Sequence, residues 1–308
     1  MTTRRKFLAT AASTAAAALP LHRSSTAQVA DAEKALFSVG LVADAQYADA
    51  EPRGIRYYRN SIPKLDAAAK AINEAQVNFS IHLGDLIDHD FSSFDDILEP
   101  LRTLEKPVYQ ILGNHDFVVE DDKKSEVPVK MGITNPYYAF SKAQFRFIFL
   151  DGTEISTFAQ PQGSPIHEQA TEILAKFKAE KRKNAYDWNS AIGPQQLTWL
   201  TGQLTEATKA GEKAIISCHY PILPDNAHNL WNDRELLALI DQYPNTVIAW
   251  LNGHNHAGNY AERQGVHYLT VHGMVDTKNN AYAVLDVLPT ALRIRGSGRV
   301  PDRLLPFS

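Results

Sequence analysis

Carboxylates, amides and histidines recur at one kind of place in this sequence, just after a short apolar run. Asp44 follows residues 37–43, Asp85 follows 77–83, and Asn114 and His115 follow 107–112. His219 follows 213–218, and His254 and His256 follow 246–251. Side chains of these types bind divalent cations through oxygen and imidazole nitrogen, and histidine also moves protons near neutral pH. The chain carries one cysteine, Cys218, so neither a Cys-rich zinc site nor an internal disulfide is available. Any metal must sit on histidines, carboxylates and amides.

Residues so far apart in sequence converge only if a sheet aims them. The run 37–43 reads as a buried strand, and 56–74 as a helix with Leu65, Ala68, Ala69 and Ile72 on one face. Further strands are expected at 77–83, 107–112, 145–150, 213–218, 246–251, 266–271 and 281–287. Helices are expected near 94–104, 168–183, from 194 onward and 233–241. This alternation predicts an α/β fold, in which ligands gather at the carboxyl edge of the strands. The stretch 120–130 reads as a surface loop, and 160–189 as an insertion over one face. No internal repeat or linker divides the chain.

With 308 residues, 31 Lys+Arg, 35 Asp+Glu and a formal charge of −4, the composition excludes disordered, collagen-like and coiled-coil classes. Outside the N-terminus it carries no basic tract for nucleic acid, which is not expected as a partner. Residues 1–32 have the layout of a leader: Arg4-Arg5-Lys6-Phe7-Leu8, then an Ala- and Thr-rich apolar stretch, with small-residue cleavage sites after about 27 or 32. The paired arginines resemble a bacterial twin-arginine signal, which implies the twin-arginine export machinery as a partner and a periplasmic or other extracytoplasmic address. The apolar stretch is shorter than the roughly 20 residues a membrane span needs, so no stable span is expected. Residues 33–308 are then expected to form one domain.

Five short blocks, Asp44-Ala-Gln46, Gly84-Asp85-Leu86-Ile87-Asp88, Gly113-Asn114-His115-Asp116, the isolated His219 and Gly253-His254-Asn255-His256, resemble in type and order the signature of calcineurin-like metallophosphoesterases. The resemblance implies a four-layer αββα sandwich of two mixed sheets flanked by helices. It implies that Asp44, Gln46, Asp85 and His256 hold one divalent ion, and that Asp85 bridges to a second held by Asn114, His219 and His254. A metal-bridging hydroxide would attack phosphorus in line. His115 matches the histidine that protonates or stabilises the leaving oxygen, and Asp88 the carboxylate that orients that ring.

Asp-x-His is usual where this chain has Asp44-Ala-Gln46. A neutral amide oxygen in place of imidazole favours manganese, with magnesium, iron or zinc as alternatives. The same departure, together with Tyr47-Ala48-Asp49, residues 56–61, Trp188-Asn189, residues 196–200, residues 229–232 and residues 253–260, is similar to the manganese-dependent ADP-ribose/CDP-alcohol diphosphatases. That likeness implies cleavage of a phosphoanhydride in a small nucleoside diphosphate derivative. A nucleotide needs aromatic faces and polar groups; the candidates are Tyr47, Arg56, Tyr58, Asn60, Phe117, Trp188, Asn189, Trp231 and Tyr260. Arg56 and Asn60 are expected one turn apart at a helix start, facing a phosphate.

Blander expectations attach to other residues. Cys218 is a small buried hydrophobe, His82 a core histidine, and His89 and Asp90 loop residues, while His228 could line the pocket. His272 and Asp276 carry no assigned chemistry. The alternatives to a diphosphatase are a phosphomonoesterase or cyclic-nucleotide phosphodiesterase of the same superfamily, and a non-catalytic binding module on this fold.

Overall fold

In β1 (Phe37–Val42), Val39 and Leu41 face one side and Gly40 and Val42 the other, and all four are buried. A strand buried on both faces belongs in the middle of a covered sheet. The computed structural model describes residues 33–308; the expected leader lies outside the described residues. One sheet runs in the order β12 (Arg303–Pro306), β11 (Ala291–Gly298), β10 (Ala281–Val287), β1, β2 (Phe79–His82), β3 (Val108–Gln110). The other runs β4 (Tyr138–Lys142), β5 (Phe145–Phe149), β6 (Lys213–Ser217), β7 (Val247–Asn252), β9 (Val266–Thr270), β8 (Asn259–Arg263). Both sheets are mixed: β1 pairs parallel with β2 and antiparallel with β10, and β5, β6, β7 and β9 are mutually parallel with antiparallel strands at the two edges.

The helices are α1 (Ser61–Glu74), α2 (Ser93–Arg102), α3 (Val127–Lys130), α4 (Pro165–Ala179), α5 (Pro194–Ala210) and α6 (Asp233–Ile240). The inner faces of the sheets interlock through Leu41, Ile81, Phe147, Ile215, Leu251 and Leu285. Helices α1 and α2 cover the outside of the first sheet with Leu65, Ile72, Phe94 and Ile97, and α5 and α6 cover the second with Leu200, Leu204, Leu236 and Ile240. Each such buried Leu or Ile contributes about 1.5–3 kcal/mol relative to exposure. The result is the expected four-layer αββα sandwich of two mixed sheets.

Two local expectations change. The helix expected from residue 56 starts at Ser61, after a single 3-10 turn at Tyr58–Asn60. Pro63 explains this: proline fits the first helical turn, whose N–H groups have no partner, and disrupts later ones. The stretch 120–130, expected as loop, contains a 3-10 turn at Lys124–Glu126 and α3, because Val127 is fully buried and anchors it. Strands β4, β8, β11 and β12, of which all but β11 lie at a sheet edge, had no separate expectation.

Candidate dinuclear metal centre

The first sheet delivers Asp44, Gln46, Asp85 and Asn114 from the ends of β1, β2 and β3, and the second delivers His219, His254 and His256 from the ends of β6 and β7. Backbone turns at these ends are sharp: φ is +50° at Asp44, +43° at Gln46, +57° at Asp85 and +65° at His254. Left-handed backbone is uncommon and costly for residues with a Cβ, and it persists where the surroundings enforce it. Here Asp44 N–H donates to Gly84 O (3.1 Å) and Gln46 N–H to Asp85 O (2.9 Å). The carboxylates brace the next block in turn. His115 N–H donates to Asp85 Oδ1 (2.8 Å), and His254 N–H to Asp44 Oδ1 (3.0 Å). Gly253 is required by closeness, since a Cβ there would stand 2.6 Å from Asp44 Oδ2.

Two groups of donor atoms, from Asp85, His219 and His254 and from Asp44, Asp85 and His256, each lie within 4.8 Å of one another, and Asp85 belongs to both. Asp44, Asp85 and His219 are fully buried, and Asn114 and His254 nearly so. Asp44 Oδ2, Gln46 Oε1, Asn114 Oδ1 and His219 Nε2 are buried without any hydrogen-bond partner. Orphaned buried polar atoms are costly, and these four are of the kinds that bind hard divalent cations, so the residues fit a pair of metal ions. Gln46 Nε2 stands 2.9 Å from Asp85 Oδ2 and 3.0 Å from His256 Nε2. A half-turn of the amide would put Oε1 there instead, an arrangement that requires a cation between it and the Asp85 carboxylate, since both oxygens only accept. Burial pushes Asp44 up to about 6 against the pull of His256 and His219. His219 is opposed by burial yet rises to about 9 through Asp85.

The cluster floors a cavity of about 600 Å³ whose walls include Arg56, His115, Val118, Phe158, Trp188 and His228. His115 Nδ1 stands 2.7 Å from Asp88 Oδ1, an ion pair when the ring is protonated, and 3.4 Å from the Asp88 backbone carbonyl. Arg56 lies 3.6 Å from the same carboxylate oxygen. Burial disfavours charge on His115, but Asp85 and then Asp88 outweigh it and raise its pKa. A cation on Asp85 would cancel the larger support and leave Asp88 as the group that holds the ring charged.

Of the expected substrate contacts, only Arg56 and Trp188 line this cavity. Tyr47 is buried with its hydroxyl donating to Asp96 (3.0 Å), Phe117 packs in the core beneath α1 and α2, and Trp231 is wholly buried against α4. Tyr260 faces a separate cavity of about 400 Å³ and bonds His267. Asn60 is half-buried beside Arg59, away from the cavity, and Arg56 precedes the helix in bridges to Arg53 and Asp276. Asn189 is fully buried, with Oδ1 3.0 Å from His254 Nε2.

Three supporting residues had no expected role. Asp116 accepts the N–H groups of Gly113, Asp85 and Leu86 at 2.9, 3.1 and 2.7 Å, tying two blocks together; its place in the Gly-Asn-His-Asp block was the available signal. Burial, then Asp85, raises it to about 7. Asp276 lies 3.0 Å from His256 Nδ1, and Arg299 donates to the carbonyls of His256 (3.0 Å) and Gly273 (2.9 Å). No short motif marks Arg299. His228 does line the cavity, its ring 5.5 Å from that of His254. His82 is fully buried with neither nitrogen partnered, and burial pushes it down to about 3, a neutral core residue.

The profile of the family described as Calcineurin-like phosphoesterase matches residues 37–258. The chain is 30% identical to the manganese-dependent ADP-ribose/CDP-alcohol diphosphatase of Homo sapiens over 91% of its own length and 95% of that protein's. It is 29% identical to the protein of the same name from Oryza sativa subsp. japonica, covering 90% of this chain and 96% of the relative. A dimetal phosphatase from Danio rerio superposes with a TM-score of 0.81 at 26% identity, over 89% of this chain and all of the other. The fold, the paired donor groups and these likenesses agree, and the chain belongs to the calcineurin-like phosphoesterase family of metal-dependent hydrolases.

Proposed function

We propose that this protein hydrolyses the phosphoanhydride of small nucleoside diphosphate derivatives, of the ADP-ribose or CDP-alcohol type, with two divalent ions, manganese foremost. The observation that carries the reading is the set of buried, partnerless donor atoms of Asp44, Gln46, Asn114 and His219 gathered around a shared Asp85. Asp44, Gln46, Asp85 and His256 would hold one ion, and Asp85, Asn114, His219 and His254 the other. Two such ions supply positive charge for the phosphoryl oxygens and a nucleophile at neutral pH.

The chain's own residues do the rest. Asp88 holds the Nδ1 side of His115, which leaves Nε2 to give a proton to the departing phosphate oxygen. Arg56, on the cavity wall beside Asp88, pairs with the second phosphate. Trp188, with Val118 and Phe158, offers the apolar face a base or alcohol tail requires. Stripping the metals, restoring Mn, Mg, Fe or Zn singly, and assaying ADP-ribose, CDP-choline, CDP-glycerol, a cyclic nucleotide and a phosphomonoester tests this. Best turnover of a diphosphate derivative with Mn supports it; preference for the monoester or cyclic nucleotide overturns the substrate class.

The reading extends to residues 1–32 as a twin-arginine leader and 33–308 as a single catalytic domain that acts outside the cytoplasm. Arg4-Arg5-Lys6 ahead of a weakly apolar stretch supports it. Replacing both arginines by lysine should retain the protein in the cytoplasm, and normal export of that variant would remove the assignment.

A further inference from the structure

We propose that Asn189 and Asp276 are positioning residues that lock His254 and His256 in opposite tautomers, so that each ring turns a different nitrogen to a different metal ion. The inference rests on the two-metal reading above. His254 Nε2 stands 3.0 Å from Asn189 Oδ1. The direction of that amide is fixed, because Asn189 Nδ2 donates to Asn184 O (3.0 Å) and Ala227 O (2.7 Å). Carbonyls only accept, so the NH2 end must face them and the oxygen must face the ring. His254 therefore carries its hydrogen on Nε2 and leaves the Nδ1 lone pair for the group it forms with Asp85 and His219.

His256 is arranged the other way. Its Nδ1 stands 3.0 Å from Asp276 Oδ1, and a carboxylate only accepts, so the hydrogen is on Nδ1 and the lone pair on Nε2. That Nε2 lies 3.7 Å from Asp44 Oδ1. Arg299, 3.7 Å from Asp276 Oδ2, backs the carboxylate and grips the His256 carbonyl. The two supports differ in charge. His256, which shares its ion with the uncharged Gln46, has a carboxylate behind it and gains donor strength; His254 has a neutral amide. Neither support comes from a metal-binding block: Asn189 ends the segment that carries Trp188, and Asp276 lies beyond the residues 37–258 that match the family.

The test is calorimetric titration of metal-free wild type, Asn189→Leu and Asp276→Leu with Mn²⁺, together with long-range ¹H–¹⁵N correlation of the imidazoles in the metal-free proteins. We expect each substitution to weaken one binding step about 10- to 100-fold, and a different step in each variant. Asp276→Asn, which keeps an acceptor without the charge, should lose less than Asp276→Leu. Lys183→Ala, which removes an exposed ion pair to Asp225 in the segment that carries Asn189 without touching His254, should bind both ions normally. In wild type the imidazole spectrum should show Nε2–H at His254 and Nδ1–H at His256, with the His254 preference lost in Asn189→Leu. Loss of the same step in both leucine variants, a metal defect in Lys183→Ala equal to that of Asn189→Leu, or one tautomer at both rings would overturn the proposal. If wild type takes up no Mn²⁺, the two-metal reading fails by itself, and the tautomers of the metal-free protein still decide this one.

Discussion

Asp44 and His254 are pinned by backbone hydrogen bonds at the ends of buried strands, whereas Trp188 stands 40% exposed on a connecting segment, stacked on Tyr186 at 4.2 Å. The floor of the cavity is rigid because the sheets that aim it are the core of the molecule, and one residue there serves several neighbours. The wall is built from side chains of the connections between strands, each with few partners. Floor substitutions should therefore act on metal and turnover together, and wall substitutions on substrate affinity, except at His115, whose ring takes part in the chemistry.

The strongest challenge to that contrast is Asp85→Asn. One carboxylate serves both donor groups, so kcat/KM should fall on the order of 10³-fold or more, as several kcal/mol of charge stabilisation implies. Elemental analysis should show at least one ion lost; full metal content with full activity would break the picture. His115→Ala separates chemistry from metal binding. A fall in kcat of about 10²- to 10⁴-fold is expected with metal content unchanged, and metal loss as the main effect would remove His115 from catalysis. Trp188→Ala should raise KM about 10-fold with kcat nearly constant, in line with about 1–3 kcal/mol for stacking a base on an aromatic ring. A change confined to kcat would place Trp188 with the floor. Gln46→His should shift the activating metal from manganese toward zinc by a few-fold in relative rate, read from single-metal reconstitution. An unchanged metal profile would show that Gln46 does not set preference.

The smallest effect belongs to a site remote from both. Burial works against charge on Asp286, but Arg295, Ser38 and Arg293 outweigh it and hold its carboxyl below the ordinary range. Its folded pKa is depressed, so its contribution is present above the unfolded value near 3.9 and is lost as pH falls through the folded one. Asp286→Asn should flatten the acid limb of a stability-versus-pH curve, measured by urea denaturation between about pH 5 and 3, and leave turnover untouched. An acid limb as steep as in wild type would show that the arginines add nothing to stability.

The floor was legible in sequence because each donor follows an apolar run by one to five residues, and strand ends are the part of an α/β sheet whose destination topology dictates. The wall was not. Tyr47, Phe117 and Trp231 sit beside functional blocks just as Trp188 does, yet three are buried in packing and one lines the cavity. An aromatic side chain serves either purpose, and only long-range burial decides between them. Asn189 shows the same limit, since its neighbour Trp188 lines the cavity while its own amide turns inward to His254. The position of Arg56 could have been read, because Pro63 sets where α1 must begin.

The cavity floor draws on both sheets, Asp44, Asp85 and Asn114 from one and the three histidines from the other. A pair of ions held there would rivet the two halves of the sandwich across their open edge, as a disulfide would in a chain with more than one cysteine. Such a rivet is reversible and is set by supply: an ion at 1,000 times its dissociation constant adds about 4 kcal/mol to folding, a large fraction of the stability of an ordinary domain. The left-handed turns at Asp44, Gln46, Asp85 and His254 and the crowding of like charges around them are the load that rivet carries. Chelation should then do more than stop catalysis: it should loosen the seam between the sheets and lower the temperature at which the whole fold opens.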